Sequence, residues 1–221
     1  MTTSDASWSG SLRLVGELER RDHYHLGSDA QCYFLGEYTA KQGWNFSITN
    51  QHIVNLKKSP VLRGTAQWSH KTRTIKLIGQ AIQGNLKPEA LGIITFVPIP
   101  PSKLPTHPEY DNRMAEVARA IAPAVDVREL IVSTVDREPM HATQRPRDPA
   151  ALRPTLRVRP ELLSPRPGMI VLIDDVLTTG CSFTVCKSML TEQLPGIAVI
   201  RIFVARRVPP APSEVAGLND P

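Results

Sequence analysis

An α/β fold, a doubly wound and mostly parallel sheet with a helical N-terminal extension, is predicted by three observations. After residue 91, short β-branched apolar runs alternate with segments of helical periodicity. Before it, apolar residues recur at intervals of three or four. Composition changes at the same place. Only Pro60 and Pro88 precede residue 90, and the other eighteen of the 20 prolines follow it. Residues 1–90 hold eleven Lys and Arg against seven Asp and Glu, whereas residues 91–221 hold fifteen against fourteen. The expected organisation is therefore a helical extension of unknown role over 1–90, joined near Lys87 and Pro88 to an α/β domain over 91–208, with a disordered polar tail over 209–221.

In the extension, Ser28-Asp29 reads as a cap ahead of Cys32, Phe34, Leu35 and Tyr38, a helix that Gly43 ends. Asn50 to Lys58 reads as a short helix, and Lys71 to Asn85 as a longer one carrying Ile75, Ile78 and Ile82 on one face. In the second part, Ile93 to Val97 is stopped by Pro98 and suits a strand buried on both faces. Met114, Val117, Ala118 and Ile121 form one face of a helix that ends before Pro123. Val127 to Val132 is a second strand and Met169 to Ile173 a third, followed by a helix with Phe183, Cys186 and Leu190 on one side. Ile197 to Ala205 is the fourth strand. Asp136 to Pro167 holds seven prolines and seven arginines with little periodicity, and a loop of that length in a compact domain suits a lid.

Size and chemistry narrow the class. The 221 residues are ample for a core, and 41% apolar residues, 21% charged residues and a mean hydropathy of -0.18 exclude wholesale disorder and a membrane protein. A net charge of +5 points to an anionic partner. Cys32, Cys181 and Cys186 are odd in number and form no CxxC pair, which speaks against a disulfide framework and for a reducing cytoplasm. The polar start MTTSDASWSG has no secretory pattern.

The chemistry concentrates in MIVLIDDVLTTGCSF, Met169 to Phe183. Ligands of open parallel sheets sit outside the carboxyl ends of strands, where a following helix presents unpaired N–H groups. Asp174 and Asp175 fall on that rim, and Thr178, Thr179, Gly180, Cys181 and Ser182 make the turn into the helix. Hydroxyls, a permissive glycine and a positive helix start form a phosphate cradle. The adjacent carboxylates suit ribose hydroxyls, directly or through Mg²⁺.

This stretch closely resembles the phosphoribosyl diphosphate (PRPP) binding motif of type I phosphoribosyltransferases. Thr95 to Lys103, followed by Tyr110-Asp111-Asn112-Arg113, looks like that family's first strand, diphosphate loop and helix. Within that family it is similar to the ComF-like group, associated with DNA uptake, although that group's cysteine-rich zinc module has no counterpart here, Ser102-Lys103 replaces the usual basic stretch, and residues 1–90 resemble no known family. The resemblance covers about residues 91 to 207. It implies a Mg²⁺-dependent enzyme that moves a 5-phosphoribosyl group from PRPP to a nitrogenous acceptor and releases diphosphate. Catalysis and Mg²⁺ binding would fall to Asp174 and Asp175, and the 5-phosphate to Thr178 through Ser182. Diphosphate would meet Pro100, Ser102, Lys103 and Arg113, under a lid carrying His141, Gln144, Arg145 and Arg147. Two readings stay open beside it: a non-catalytic PRPP- or nucleotide-binding regulator, and a ComF-like DNA-handling accessory protein. A homodimer also stays open.

Weaker constellations complete the sequence. His23-Tyr24-His25 with Cys32 lacks a fourth metal ligand, so solvated histidines are expected. Lys57, Lys58, Arg63, His70, Lys71 and Arg73 lie near Trp44 and Trp68, either as a nucleic-acid patch or as a solvated helical face. Arg206-Arg207 ends the last strand at the ligand rim, as an anion contact or a solvated strand end.

Overall fold

The computed structural model describes residues 7–137 and 148–209. Its strands in chain order are β1 (Trp8–Leu14), β2 (Cys32–Thr39), β3 (Ile94–Pro98), β4 (Asp126–Val127), β5 (Ile131–Ser133), β6 (Leu156–Val158), β7 (Met169–Leu177) and β8 (Ala198–Val208). The helices are α1 (Glu17–Arg20), α2 (Ile48–Leu56), α3 (Trp68–Gly84), α4 (Pro88–Leu91), α5 (Arg113–Arg119), α6 (Pro149–Leu152) and α7 (Cys181–Gln193). Six strands form one mixed sheet in the order β1-β2-β8-β7-β3-β4, and β5 and β6 form a separate antiparallel ribbon. Within the large sheet only β1 runs antiparallel to its neighbour.

The aliphatic strand Met169 to Ile173 explains the layering. Ile170 and Leu172 enter one apolar cluster with Phe183, Cys186 and Leu190 of α7, while Val171 and Ile173 enter another with Ile53, Ile78, Ile82 and Val117 of α2, α3 and α5. A strand covered on both faces has no polar side to show, which is why its sequence is continuously apolar rather than alternating. Helices therefore lie on both faces of the sheet. On one face α3 and α5 approach closely: a Cβ at Gly79 would stand 2.6 Å from the Ala120 backbone, so only glycine fits there.

The helix expected over Cys32 to Tyr38 is a strand. β2 pairs in parallel with β8 through seven residues, from Cys32 opposite Arg201 to Thr39 opposite Val208. Its run of Cys, Tyr, Phe and Leu sends Phe34 to one core and Leu35 to the other. A short strand buried on both faces has the same apolar density as a helix face, so spacing alone misreads it. The first 90 residues are thus not a helical extension: β1 and β2 extend the same sheet, and α2 and α3 cover one of its faces. The two other helices expected there form, as α2 and α3.

Three further boundaries move. The strand expected over Val127 to Val132 divides between β4 in the large sheet and β5 in the ribbon, at Arg128, whose guanidinium bonds Asp126 and the carbonyls of Leu162 and Pro165. The third strand continues past Ile173 to Leu177. The latter half of the Arg- and Pro-rich segment is no structureless loop, because α6 and β6 bury Leu152 and Leu156 in the α7-side core. The lid residues His141, Gln144, Arg145 and Arg147, and the tail from residue 210, lie outside the described residues.

Candidate active site

From β3 the chain passes through α5 to β4 on one side; from β7 it passes through α7 to β8 on the other. β3 and β7 are neighbours, and α5 and α7 pack into the two different cores. Strand order therefore reverses between β3 and β7, and outside their carboxyl ends lies the crevice where open α/β sheets take ligands. β3 stops at Pro98, opposite Ile173, with a last bond from Ile99 N–H to the Ile173 carbonyl at 3.0 Å. β7 runs on, and the first residues beyond the end of β3 are Asp174 and Asp175.

The two carboxylates have different surroundings. Asp175 is 6% exposed, yet its carboxylate meets Lys57 Nζ at 3.3 Å and Arg113 Nε at 3.0 Å. Burial opposes its ionisation, but Lys57 and Arg113 hold its carboxyl well below the usual range. Asp174 is half-buried and its Oδ1 accepts the Asp175 N–H at 2.8 Å. Burial, reinforced by the negative charge of Asp175, pushes it up to about 7. One carboxylate is thus committed to cations, and the other is available to a ligand.

Arg113 extends the ion pairing. It also donates from Nη1 to Asp111 Oδ2 at 2.9 Å, and the same oxygen accepts from Lys71 Nζ at 2.7 Å. Lys71 donates further to the Lys58 carbonyl at 2.9 Å, and its side chain is 1% exposed. Burial lowers the Lys71 pKa, and the Asp111 carboxylate offsets that. Lys57, Asp175, Arg113, Asp111 and Lys71 therefore form one continuous run of charge along the rim.

Beyond β7, Gly180 takes φ +85°, a left-handed conformation, as the residue before α7. A Cβ there would stand 2.5 Å from Leu26 Cδ2, so both backbone and space demand glycine. Thr178, Thr179 and Ser182 are half-buried, while Cys181 is buried. The turn is braced by the segment before β2. His23, fully buried, bonds the Thr178 carbonyl through Nδ1; His25 N–H donates to the Thr179 carbonyl at 2.9 Å; and the Thr184 hydroxyl donates to the His25 carbonyl at 2.7 Å.

The opposite wall is the loop after β3. Arg137 donates from Nη2 to the Pro101 carbonyl at 3.1 Å and to Ser133 Oγ at 2.9 Å, and its N–H bonds the Ser102 carbonyl at 2.8 Å. Burial lowers the Arg137 pKa, with Asp174 among the charges opposing the shift. Pro100, Ser102 and Lys103 are half-buried in this loop.

Of the residues expected at the site, the structure gathers Asp174, Asp175 and Arg113 in direct contact or chain adjacency, with Thr178 to Gly180 forming the turn after β7 and Cys181 and Ser182 opening α7. Lys57, Asp111, Lys71, Arg137 and His23 were not expected there. Lys57 and Lys71 leave the supposed basic patch: one pairs with Asp175, the other is buried, and Arg63, His70 and Arg73 remain exposed. His23 is buried rather than solvated, and no group of three or more His, Cys, Asp or Glu suited to a metal occurs among the described residues. Arg206 is not a solvated strand end, since it pairs with Glu19 at 3.2 Å and Glu37 at 2.9 Å.

Mg²⁺ at phosphate sites takes one or two carboxylates and otherwise phosphate oxygens and water. With Asp175 neutralised by two cations, the donor set fits Mg²⁺ carried on a diphosphate and touched by Asp174, not an all-protein cage. A depression bounded by Thr184, Lys187, Ser188, Thr191 and Glu192 lies on α7 and includes none of these rim residues. No family model and no curated protein matches this chain in sequence.

Proposed function

We propose that this protein transfers a 5-phosphoribosyl group from PRPP to a nitrogenous acceptor and releases diphosphate. The observation that carries the reading is the coincidence of the Asp174 to Ser182 motif with the reversal of strand order between β3 and β7. Under this reading the Thr178, Thr179 and Ser182 hydroxyls and the first N–H groups of α7 receive the 5-phosphate. Asp174 accepts hydrogen bonds from the ribose hydroxyls. Arg113 and Lys103 neutralise charge on the diphosphate. The acceptor nitrogen forms a bond to C1 as the bond from C1 to the diphosphate oxygen breaks, and the electron pair leaves with diphosphate. Fixed cations that face the growing negative charge favour this transition state over the ground state. Asp174 is the residue that would hold Mg²⁺, which when bound would supply further charge neutralisation. Asp175 serves as a positioning residue for Arg113 and Lys57.

Release of diphosphate from PRPP, followed with a panel of purine and pyrimidine bases in Mg²⁺, tests the reading. Release with at least one base, falling about a hundredfold or more in Asp174→Asn, is the expected result; no release with any base would sink it. One observation favours a second reading, a PRPP-sensing regulator: the Asp175 carboxylate is already satisfied by Lys57 and Arg113. Saturable PRPP binding without turnover would select the regulator.

A further inference from the structure

Lys57, Arg113 and Lys71 bring three cations to the rim, and Asp175 and Asp111 bring two carboxylates. Lys57 and Arg113 share Asp175, and Arg113 and Lys71 share Asp111. The three cations are not equally fixed. Arg113 is held by both Asp111 and Asp175, and Lys71 is buried between Asp111 and the Lys58 carbonyl. Lys57 follows the last residue of α2, keeps 35% of its side chain exposed, and meets Asp175 at 3.3 Å. Asp175 is buried whereas Lys57 reaches solvent, and Asp175 keeps Arg113 when Lys57 leaves, so the ammonium is the member of the run that can turn to another anion. It stands on the face of the sheet that carries α3 and α5, and it shares Asp175 with the first residue of α5, whereas the turn into α7 belongs to the other face.

We propose that Lys57 is a ligand-binding residue supplied by the part of the chain before the motif, and that it exchanges Asp175 for the diphosphate of the incoming ligand. The proposal rests on the phosphoribosyltransferase reading for the identity of the ligand, and on the geometry of the charge run for the role of Lys57. In the free protein Asp175 holds the ammonium at the rim. When diphosphate arrives, Lys57 Nζ donates to its oxygens in a charge-assisted bond, and Arg113 stays on Asp175. No bond is made or broken covalently. Because Lys57 sits with α5 rather than with the turn before α7, it discriminates ligands by their diphosphate and is indifferent to the 5-phosphate.

Calorimetric titrations of the whole protein with PRPP, inorganic diphosphate and ribose 5-phosphate, each in Mg²⁺, test this in the native chain, Lys57→Gln and Lys57→Arg. Lys57→Gln is expected to weaken PRPP and inorganic diphosphate by about tenfold to a hundredfold and ribose 5-phosphate by less than about twofold, with Lys57→Arg recovering most of the loss. The circular dichroism spectrum of Lys57→Gln should match that of the native protein, and its melting temperature should fall by no more than about 2–4 °C, because Arg113 keeps Asp175 paired. If native protein binds PRPP and Lys57→Gln binds it equally well, the Lys57 inference is overturned and the functional reading stands. An equal loss for ribose 5-phosphate also overturns it. Binding of inorganic diphosphate that depends on Lys57, without binding of PRPP, would keep the inference and remove the phosphoribosyltransferase reading. Native protein that binds neither removes both.

Discussion

Asp111→Asn is the most informative single change to the rim. The Asp111 side chain is 10% exposed and its Oδ2 faces Lys71 and Arg113 at 2.7 and 2.9 Å. An amide keeps the shape but removes the charge and turns a donor or a neutral oxygen towards Lys71. Arg113 retains Asp175, so the main casualty is Lys71, a buried ammonium left with the Lys58 carbonyl alone. Removing one partner of a buried ion pair costs about 3–5 kcal/mol. The surviving Arg113 contacts place this case at about 3 kcal/mol, which for a chain of this size lowers the melting temperature by about 6–12 °C. Urea unfolding read by tryptophan fluorescence is a suitable assay, because Trp68 lies 5.0 Å from Lys71 Nζ. Burial depresses the Lys71 pKa, so the unpaired amine loses its proton readily and the penalty should shrink between pH 7 and pH 10. Lys71→Met combined with Asp111→Asn should recover most of the loss, since no buried charge then lacks a partner. Stability of Asp111→Asn within about 0.5 kcal/mol of native, or a double variant that loses the sum of the two single losses, would refute the buried-pair reasoning.

Three other outcomes follow from the site. Gly180→Ala places a side chain at φ +85° and 2.5 Å from Leu26 Cδ2, so it should lower stability by about 1–2 kcal/mol from backbone strain alone and weaken PRPP; adding Leu26→Ala relieves the contact but not the strain, which thermal melts of both variants will separate. Asp174 has a folded pKa raised to about 7, so the folded state binds more protons than the unfolded one between the ordinary carboxylate range and that value, and stability falls as pH rises through this window. Asp174→Asn should therefore raise the melting temperature relative to native more at pH 8 than at pH 5. The three cysteines are buried, and burial pushes Cys32 up to about 12, so native protein should react with an aromatic disulfide reagent orders of magnitude more slowly than protein in urea, where three thiols titrate.

The acidic pair and the hydroxyl turn were legible because their chemistry is local. A strand, two carboxylates, a glycine and a helix start occur within fifteen residues, and the glycine is forced by its own backbone. β3 was legible for a related reason: a β-branched run stopped by Pro98 leaves few alternatives. β2 was not, because a strand covered on both faces loses the alternation that distinguishes it from a helix face. The Lys57–Asp175 and Lys71–Asp111 pairs were missed because their members lie 40 or more residues apart and charge carries no address in a sequence. Lys71 did leave a trace. It occupies the first position of the stripe Lys71, Ile75, Ile78 and Ile82, and a lysine on the buried stripe of an amphipathic helix calls for a buried carboxylate. His23 had no such trace, since its value lies in reaching Thr178 across 155 residues of chain.

A calorimetric titration with PRPP in Mg²⁺ addresses the central claim most directly, because it asks whether the crevice between β3 and β7 takes the ligand its residues suit. The prediction is saturable one-to-one binding by the native protein with a dissociation constant below about 1 mM, weakened about tenfold or more by Asp174→Asn. Absence of binding to the native protein, or binding that Asp174→Asn leaves unchanged, would contradict it.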